Sequence, residues 1–115
     1  MNILKAIFAS SGSSLNAADA QARIDSKQPL LIVDVRQPGA YRTGHIAGAK
    51  LIPLNELQRH LNKLPKNKEI LCVCRTGSRS GMAVGQLNRA GFNAVNLRGG
   101  MIGWQRAGYP VKKGK

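Results

Sequence analysis

Short apolar runs alternate with segments of helical periodicity along most of the chain. Apolar runs of this length are typical of parallel strands that are buried on both faces of a sheet. We predict four such strands, over residues 30–33, 49–52, 69–73 and 94–97.

Helices are predicted between these strands, because apolar residues recur there at helical spacing. The first helix is expected to end at about residue 26, with Asn16 or Ser14 as its N-cap. The second is expected over residues 54–64, before Pro65, and the third over 78–90, with Gly91 as its C-cap. A short fourth helix is expected after Gly100. Their apolar residues, in chain order, are Leu15, Ala18, Ala22, Ile24, Leu54, Leu57, Leu61, Leu64, Met82, Ala83, Leu87, Ala90, Met101, Ile102 and Trp104.

This alternation predicts the α/β class, with a small parallel-stranded sheet flanked by helices on both faces. Asp34 and Arg36 close the first strand, before the turn formers Pro38 and Gly39, and Cys74 closes the third. Ligands of such sheets bind beyond the carboxyl ends of the strands. We therefore expect the functional site at the edge that carries Asp34 and Cys74.

Cys74 opens the run Cys-Arg-Thr-Gly-Ser-Arg-Ser over residues 74–80, which predicts a tight loop between a strand and a helix. A thiol in such a loop faces backbone N–H groups, and here also the positive charges of Arg75 and Arg79. Both favour the thiolate, which is the reactive form of a cysteine. Taken alone, this thiol suits a phosphatase, a redox switch or a sulfur-transfer enzyme.

Charge is the unusual feature of the composition. The 115 residues make one domain, and 18 basic against five acidic residues give a net charge of +13. Such a field attracts small anions, acidic proteins or nucleic acids. Nucleic acid is disfavoured as the main partner, because no aromatic residues interleave with a basic cluster. The two cysteines and two histidines lack zinc-ligand spacing, so neither a metal site nor a disulfide framework is predicted.

The N-terminal residues 1–13 are expected to form a flexible segment ahead of a domain over residues 14–115. The start of the chain imitates a weak signal peptide, but Lys5 interrupts its short apolar run. No run approaches about 18 apolar residues, so no membrane span is predicted. A cytoplasmic location is expected, and an exported form is less favoured.

The chain resembles a single-domain rhodanese-like sulfurtransferase over residues 14–111. The resemblance rests on five motifs in order: LIVDVR at 31–36, GHIAGA at 44–49, IP at 52–53, CRTGSRS at 74–80 and LRGGMIGW at 97–104. It implies that Cys74 is the nucleophile and carries sulfur as a persulfide. The implied donor is thiosulfate or a similar small anion, and the implied acceptor is cyanide or a thiol. No cofactor is implied.

Substrate contacts are expected mainly from the loop that follows the cysteine. The residues expected to bind the substrate are Arg75, Thr76, Gly77, Ser78, Arg79 and Arg36. Gly77 permits a sharp turn at positive φ, and the hydroxyls of Thr76 and Ser78 can donate hydrogen bonds. Arg79 either holds the anionic end of the donor or braces the loop, and Arg36 either faces the site or has a bracing role. Four residues separate Cys74 from Arg79, whereas the phosphatase signature has five, which disfavours phosphatase or arsenate reductase activity.

Four residues within or beside the motifs are expected to be structural. We predict a buried ion pair or loop hydrogen bond for Asp34, a framework role for His45, core packing for Cys72 and a packing anchor in Trp104. A resolving cysteine at Cys72 is the less favoured alternative. The alternative function for the whole chain is a persulfide carrier, which relays sulfur to a protein or RNA thiolation partner with little small-molecule turnover. An acidic protein is a further partner that the positive charge suggests.

Overall fold

One parallel sheet of five strands forms the centre of the protein. The computed structural model describes residues 13–115. The strands are β1 (Ser14–Leu15), β2 (Leu30–Asp34), β3 (Lys50–Leu51), β4 (Glu69–Val73) and β5 (Asn93–Leu97). They lie in the order β1-β5-β4-β2-β3, and every pairing is parallel. The α/β prediction is therefore confirmed.

The central strand β4 pairs with β2 on one side and with β5 on the other. The register sets Val33, Cys72 and Asn96 in one row across the sheet. Because the strands are parallel, their carboxyl ends meet at one edge. Asp34 and Cys74 follow this rule and lie at the ends of β2 and β4, as predicted.

Helices cover both faces of the sheet. They are α1 (Ala17–Asp25), α2 (Pro38–Thr43), a 3₁₀ helix (Leu54–Lys63), α3 (Ser78–Arg89) and α4 (Gly100–Arg106). Ile70 and Cys72 belong to the core between the sheet and α3, which the 3₁₀ helix completes. Leu71 and Val73 belong to the core between the sheet and the helices α1 and α4. Alternate residues of one strand thus supply the two cores, as strand geometry requires.

Helix α1 begins where its capping residue predicts. The side-chain oxygen of Asn16 accepts a hydrogen bond of 2.8 Å from the backbone N–H of Asp19, which confirms Asn16 as the N-cap. The predicted inner face was wrong at Ala18 and Ala22, which are exposed, whereas Ala20 is buried and Ile24 packs against the core as predicted. Leu15 belongs to β1 and not to the helix, and α1 turns a different side to the sheet.

The buried face of α3 was also predicted with an error. Met82 is 54% exposed, and the stripe that faces the sheet consists of Ser80, Ala83, Val84 and Leu87. These four positions follow the spacing of one helix face. The stripe begins with a polar residue, which a search for apolar side chains alone passes over.

Two short elements were missed and one changes type. β1 consists of only two residues and pairs with β5, and α2 starts at Pro38, where a turn was predicted. The leucine-rich segment before Pro65 is a 3₁₀ helix over ten residues.

The expectations for the N-terminal segment fall on residues 1–12, outside the described residues. Between Ser13 and Lys115, no helix has the length and apolar character to cross a bilayer.

Candidate functional site

Cys74 lies at the base of the loop that connects β4 to α3. Cys74 is only 3% exposed, whereas the residues that follow it in the loop are mostly exposed. The loop turns sharply at Gly77, whose φ is 103°, and this confirms the predicted positive φ at that position. The turn brings the backbone of the first residues of α3 back toward the sulfur.

Hydrogen-bond donors converge on the sulfur of Cys74. The backbone N–H of Gly77 donates at 3.0 Å from N to Sγ, and the Ser80 hydroxyl lies 3.2 Å from Sγ. Burial raises the pKa of Cys74, but these bonds and the backbone N–H groups of Ser80 and Thr76 outweigh it, so that the pKa lies below its ordinary value. These contacts therefore make the thiolate of Cys74 more favourable than that of an ordinary cysteine.

The N-terminus of α4 holds the loop from outside. The backbone N–H of Met101 donates to the carbonyl oxygen of Cys74 at 2.9 Å, and that of Ile102 donates to the carbonyl oxygen of Arg75 at 3.1 Å. These bonds point the two carbonyl groups toward α4. A Cβ added at Gly100 would lie 2.4 Å from the Arg75 carbonyl oxygen, so only glycine permits this approach.

Asn96 connects the loop, the helix and the sheet. Its side-chain nitrogen donates to the Gly77 carbonyl oxygen at 2.9 Å, and its side-chain oxygen lies 2.5 Å from the Ser80 hydroxyl. Ser80 is completely buried, with no exposed surface. Asn96 thus contacts Gly77 and Ser80, two of the residues that reach the sulfur.

Sequence reasoning missed the site roles of Ser80, Asn96 and Gly100. Two of them carried a usable signal, because Ser80 is a polar residue in the inward stripe of α3 and Asn96 interrupts the apolar run of β5. A buried polar side chain needs a partner, so each polar interruption predicts a hydrogen bond. Nothing in the local pattern indicates which residue the partner is.

The exposed side chains of the loop surround the mouth of the site. Arg75, Thr76, Ser78 and Arg79 are all exposed. The Thr76 hydroxyl oxygen lies 3.5 Å from the backbone nitrogen of Ser78, and the hydroxyl that reaches the sulfur is that of Ser80. The guanidinium groups of Arg75 and Arg79 thus belong to exposed residues of the loop.

Arg36 is buried and paired with Asp34. Its Nη2 lies 2.8 Å from a carboxylate oxygen of Asp34 and 2.8 Å from the carbonyl oxygen of Gly44, and its backbone N–H also donates to Asp34. The predicted ion pair and loop hydrogen bond of Asp34 are both confirmed. For Arg36 the same contacts favour the bracing role over contact with a donor.

His45, Trp104 and Cys72 have structural positions, as predicted. The His45 ring stacks on Tyr41 with centroids 3.7 Å apart, and its Nδ1 lies 2.8 Å from the Tyr41 carbonyl oxygen. Trp104 is 1% exposed and donates its ring N–H to the Pro110 carbonyl oxygen. Burial, and then the neighbouring Cys74, raises the pKa of Cys72 to about 12, so its thiol is protonated and unreactive at neutral pH.

The chain is similar to known proteins over most of its length. The family model described as "Rhodanese-like domain" matches residues 16–107, which is most of the chain. A protein of Allochromatium vinosum named "Sulfurtransferase" is 31% identical over 100 residues, which cover 86% of this chain and 94% of that protein.

Two further similarities cover part of a longer protein. A candidate sulfur carrier protein of Bacillus subtilis, YrkF, is 37% identical over 97 residues, covering 84% of this chain and 52% of YrkF. A solved structure of a thiosulfate sulfurtransferase from Pseudomonas aeruginosa superposes with a TM-score of 0.83 and 30% identity. That match covers 90% of this chain and 21% of the other.

Proposed function

Because the chain belongs to the rhodanese-like domain family, we propose that it is a sulfurtransferase that works through a persulfide on Cys74. The sulfur comes from thiosulfate or a similar donor and passes to cyanide or to a thiol. One observation carries this proposal: the Gly77 N–H, the Ser80 hydroxyl and further backbone N–H groups of the loop converge on the Cys74 sulfur. Such a cradle stabilises the anionic sulfur of the Cys74 thiolate, which is the attacking group.

The reaction has two balanced steps. The Cys74 thiolate attacks the outer sulfur of thiosulfate, the sulfur–sulfur bond of the donor breaks, and sulfite leaves with the bonding electron pair. Cys74 then holds a persulfide with one negative charge. Cyanide attacks the outer sulfur of the persulfide, thiocyanate leaves, and the thiolate returns. A thiolate acceptor follows the same course and itself becomes a persulfide.

Arg79 and Arg75 are proposed to receive the anionic donor. Their exposed guanidinium groups flank the loop, and a doubly charged donor must approach an anionic sulfur. Fixed positive charge at the mouth lowers the cost of that approach. Thr76 and Ser78 add hydroxyl groups at the same rim, and Gly77 supplies an N–H to the sulfur itself.

The natural acceptor is proposed to be a thiol on an acidic protein. After residue 69 the chain carries eight lysines and arginines and no aspartate or glutamate, and this segment contains the whole Cys74 loop. Met82, on the same helix face as Arg79, is the only large apolar side chain exposed within residues 13–115. The exposed charges of Arg75 and Arg79, with one exposed apolar side chain on the helix that follows, suit an acidic partner that has an apolar contact near its thiol.

The test is thiocyanate production from thiosulfate and cyanide by the purified protein. We expect the Cys74→Ser variant to lose this activity, and the Cys72→Ala variant to keep it, because Cys72 is buried and away from the loop mouth. After thiosulfate alone, mass spectrometry should find a gain of about 32 Da on Cys74, one sulfur atom. Full activity in Cys74→Ser protein would contradict the proposal.

The same experiment separates the carrier function. A carrier would show the added sulfur on Cys74 but negligible thiocyanate, and it would pass the sulfur to a protein thiol. Hydrolysis of p-nitrophenyl phosphate without either sulfur reaction would favour a phosphatase instead. The persulfide mass and the two product measurements thus give a different result for each function.

A further inference from the structure

The Ser80 hydroxyl has one proton and two acceptors. Its oxygen lies 2.5 Å from the side-chain oxygen of Asn96 and 3.2 Å from the Cys74 sulfur. A serine hydroxyl donates a single hydrogen bond at a time. Ser80 is completely buried, so water does not supply a third partner. The proton must therefore point either to Asn96 or to the sulfur.

The orientation of the Asn96 amide is fixed independently of Ser80. Its nitrogen donates to the Gly77 carbonyl oxygen at 2.9 Å, which leaves the amide oxygen facing Ser80. A flipped amide would set its oxygen against the Gly77 carbonyl oxygen, and two acceptors repel each other. Asn96 therefore competes with the sulfur for the Ser80 proton.

We propose that Asn96 is a positioning residue that sets, through the Ser80 hydroxyl, the strength of the hydrogen bond to the Cys74 sulfur in each state of the enzyme. In the thiol state, the Cys74 S–H donates to the Ser80 oxygen and the Ser80 O–H donates to Asn96. In the thiolate state, the Ser80 O–H turns to the sulfur and Asn96 loses its donor. Asn96 thus opposes ionisation, and Ser80 supports it.

The loaded state extends this argument, and this step rests on the proposed persulfide. In the persulfide the negative charge lies on the outer sulfur, about 2 Å beyond Sγ. The Sγ atom then accepts hydrogen bonds weakly, and the Ser80 proton returns to Asn96. Asn96 therefore favours the loaded enzyme over the empty thiolate, and its loss should make Cys74 a better leaving group during discharge.

The groups on the neighbouring elements are neutral, paired or exposed to solvent, so the hydrogen bond to the sulfur depends mainly on Ser80 and Asn96. Cys72 on β4 is a neutral thiol, and Asp34 at the end of β2 is neutralised by Arg36. On the loop and α3, the guanidinium groups of Arg75 and Arg79 are exposed to solvent. From β5 and α4, the facing groups are the neutral Asn96 amide and backbone N–H groups.

Two substitutions of Asn96 separate this role from simple bracing. Asn96→Leu and Asn96→Asp both remove the donor to the Gly77 carbonyl oxygen. Leucine also removes the competing acceptor, whereas aspartate strengthens it and adds a negative charge beside the sulfur. The measurement is the rate of Cys74 alkylation by iodoacetamide across pH, which reports the thiolate and does not depend on sulfur transfer.

We expect opposite shifts of the two profiles. On the acidic limb, Asn96→Leu should react about threefold faster than the native protein, the effect of one neutral hydrogen bond. Asn96→Asp should react about tenfold more slowly, because a nearby negative charge disfavours the thiolate. In a Ser80→Ala background, the acceleration by Asn96→Leu should disappear. Asn96→Ala, with the same expected direction, replaces the leucine variant if that protein does not fold by circular dichroism.

A purely structural role would give a different pattern. If Asn96 only braces Gly77, both variants should shift the profile to higher pH, and the shift should persist without Ser80. A shift of both variants to higher pH, or a shift that persists without Ser80, would overturn the proposal and leave the sulfur transfer function intact. Conversely, a lack of thiocyanate production with opposite alkylation shifts would refute only the proposed function.

Discussion

Replacing Gly100 with alanine tests how the loop around Cys74 is held. The new Cβ would lie 2.4 Å from the Arg75 carbonyl oxygen and 2.6 Å from the Cys74 carbonyl oxygen. Both are backbone atoms, so no side chain can rotate to relieve the contact. An ordinary contact needs about 3.4 Å, so the loop and the start of α4 must separate by about 1 Å.

The cost of this separation has two parts. Alanine at a φ of 57° costs about 1 kcal/mol. Separation also weakens the hydrogen bonds from Met101 and Ile102 to the loop carbonyl oxygens, at about 1 kcal/mol each. We expect a loss of about 3 kcal/mol of unfolding free energy and a Tm lower by about 12 °C or more. Because the loop is displaced by about 1 Å, the kcat/KM of the Gly100→Ala variant should also fall by up to about a hundredfold.

Gly108→Ala is the matched control. Gly108 has a φ of 82°, and no atom lies within 4 Å of an added Cβ, so only the backbone strain remains. Urea unfolding and thiocyanate production would be measured for both variants. The control should lose about 1 kcal/mol and keep its activity. Equal losses of stability and activity in the two variants would refute the reasoning.

Further expectations concern the charged groups and the two thiols. Iodoacetamide at about pH 8 should label Cys74 alone in the folded protein, because the pKa of Cys74 is lowered and that of Cys72 is raised to about 12. Peptide mapping would identify the labelled cysteine. Labelling of Cys72 in folded protein would contradict this expectation. Arg36→Met should cost about 3–5 kcal/mol in urea unfolding by leaving Asp34 buried and unpaired, whereas the additional change Asp34→Asn should recover part of the loss, and no recovery would argue against the ion pair. Arg79→Ala should raise KM for thiosulfate about tenfold at low salt, with a smaller effect in high salt, and an unchanged KM would assign Arg79 to bracing alone.

The central strands could be predicted because the local pattern of apolar residues is enough to indicate a buried strand. β2 and β4 are nearly continuous apolar runs, and burial on both faces of a sheet demands such runs. β1 has no such pattern, because its two residues become a strand only by pairing with β5. α2 was missed because Pro38 also suits the first position of a helix, where its lack of an N–H costs nothing.

The candidate site divides in the same way. Cys74 and the turn at Gly77 could be predicted, since one short segment carries the thiol, the glycine and the start of the helix. The contact of Ser80 with Asn96 joins residues 16 positions apart, and that of Gly100 with the loop joins an adjacent element of the fold. Such partnerships depend on sheet order and register, which local patterns do not specify.

The central position of β4 has a consequence for the order in which the protein opens. Amide hydrogens of β4 are bonded within the sheet between β2 and β5, whereas β1 and β3 are edge strands of two residues each. Edge strands fray at low free energy, and central strands exchange their hydrogens only when the whole domain unfolds. Cys74 is thus anchored to the slowest-exchanging part of the molecule. Distortion of the sheet edges can therefore leave the Cys74 sulfur in place.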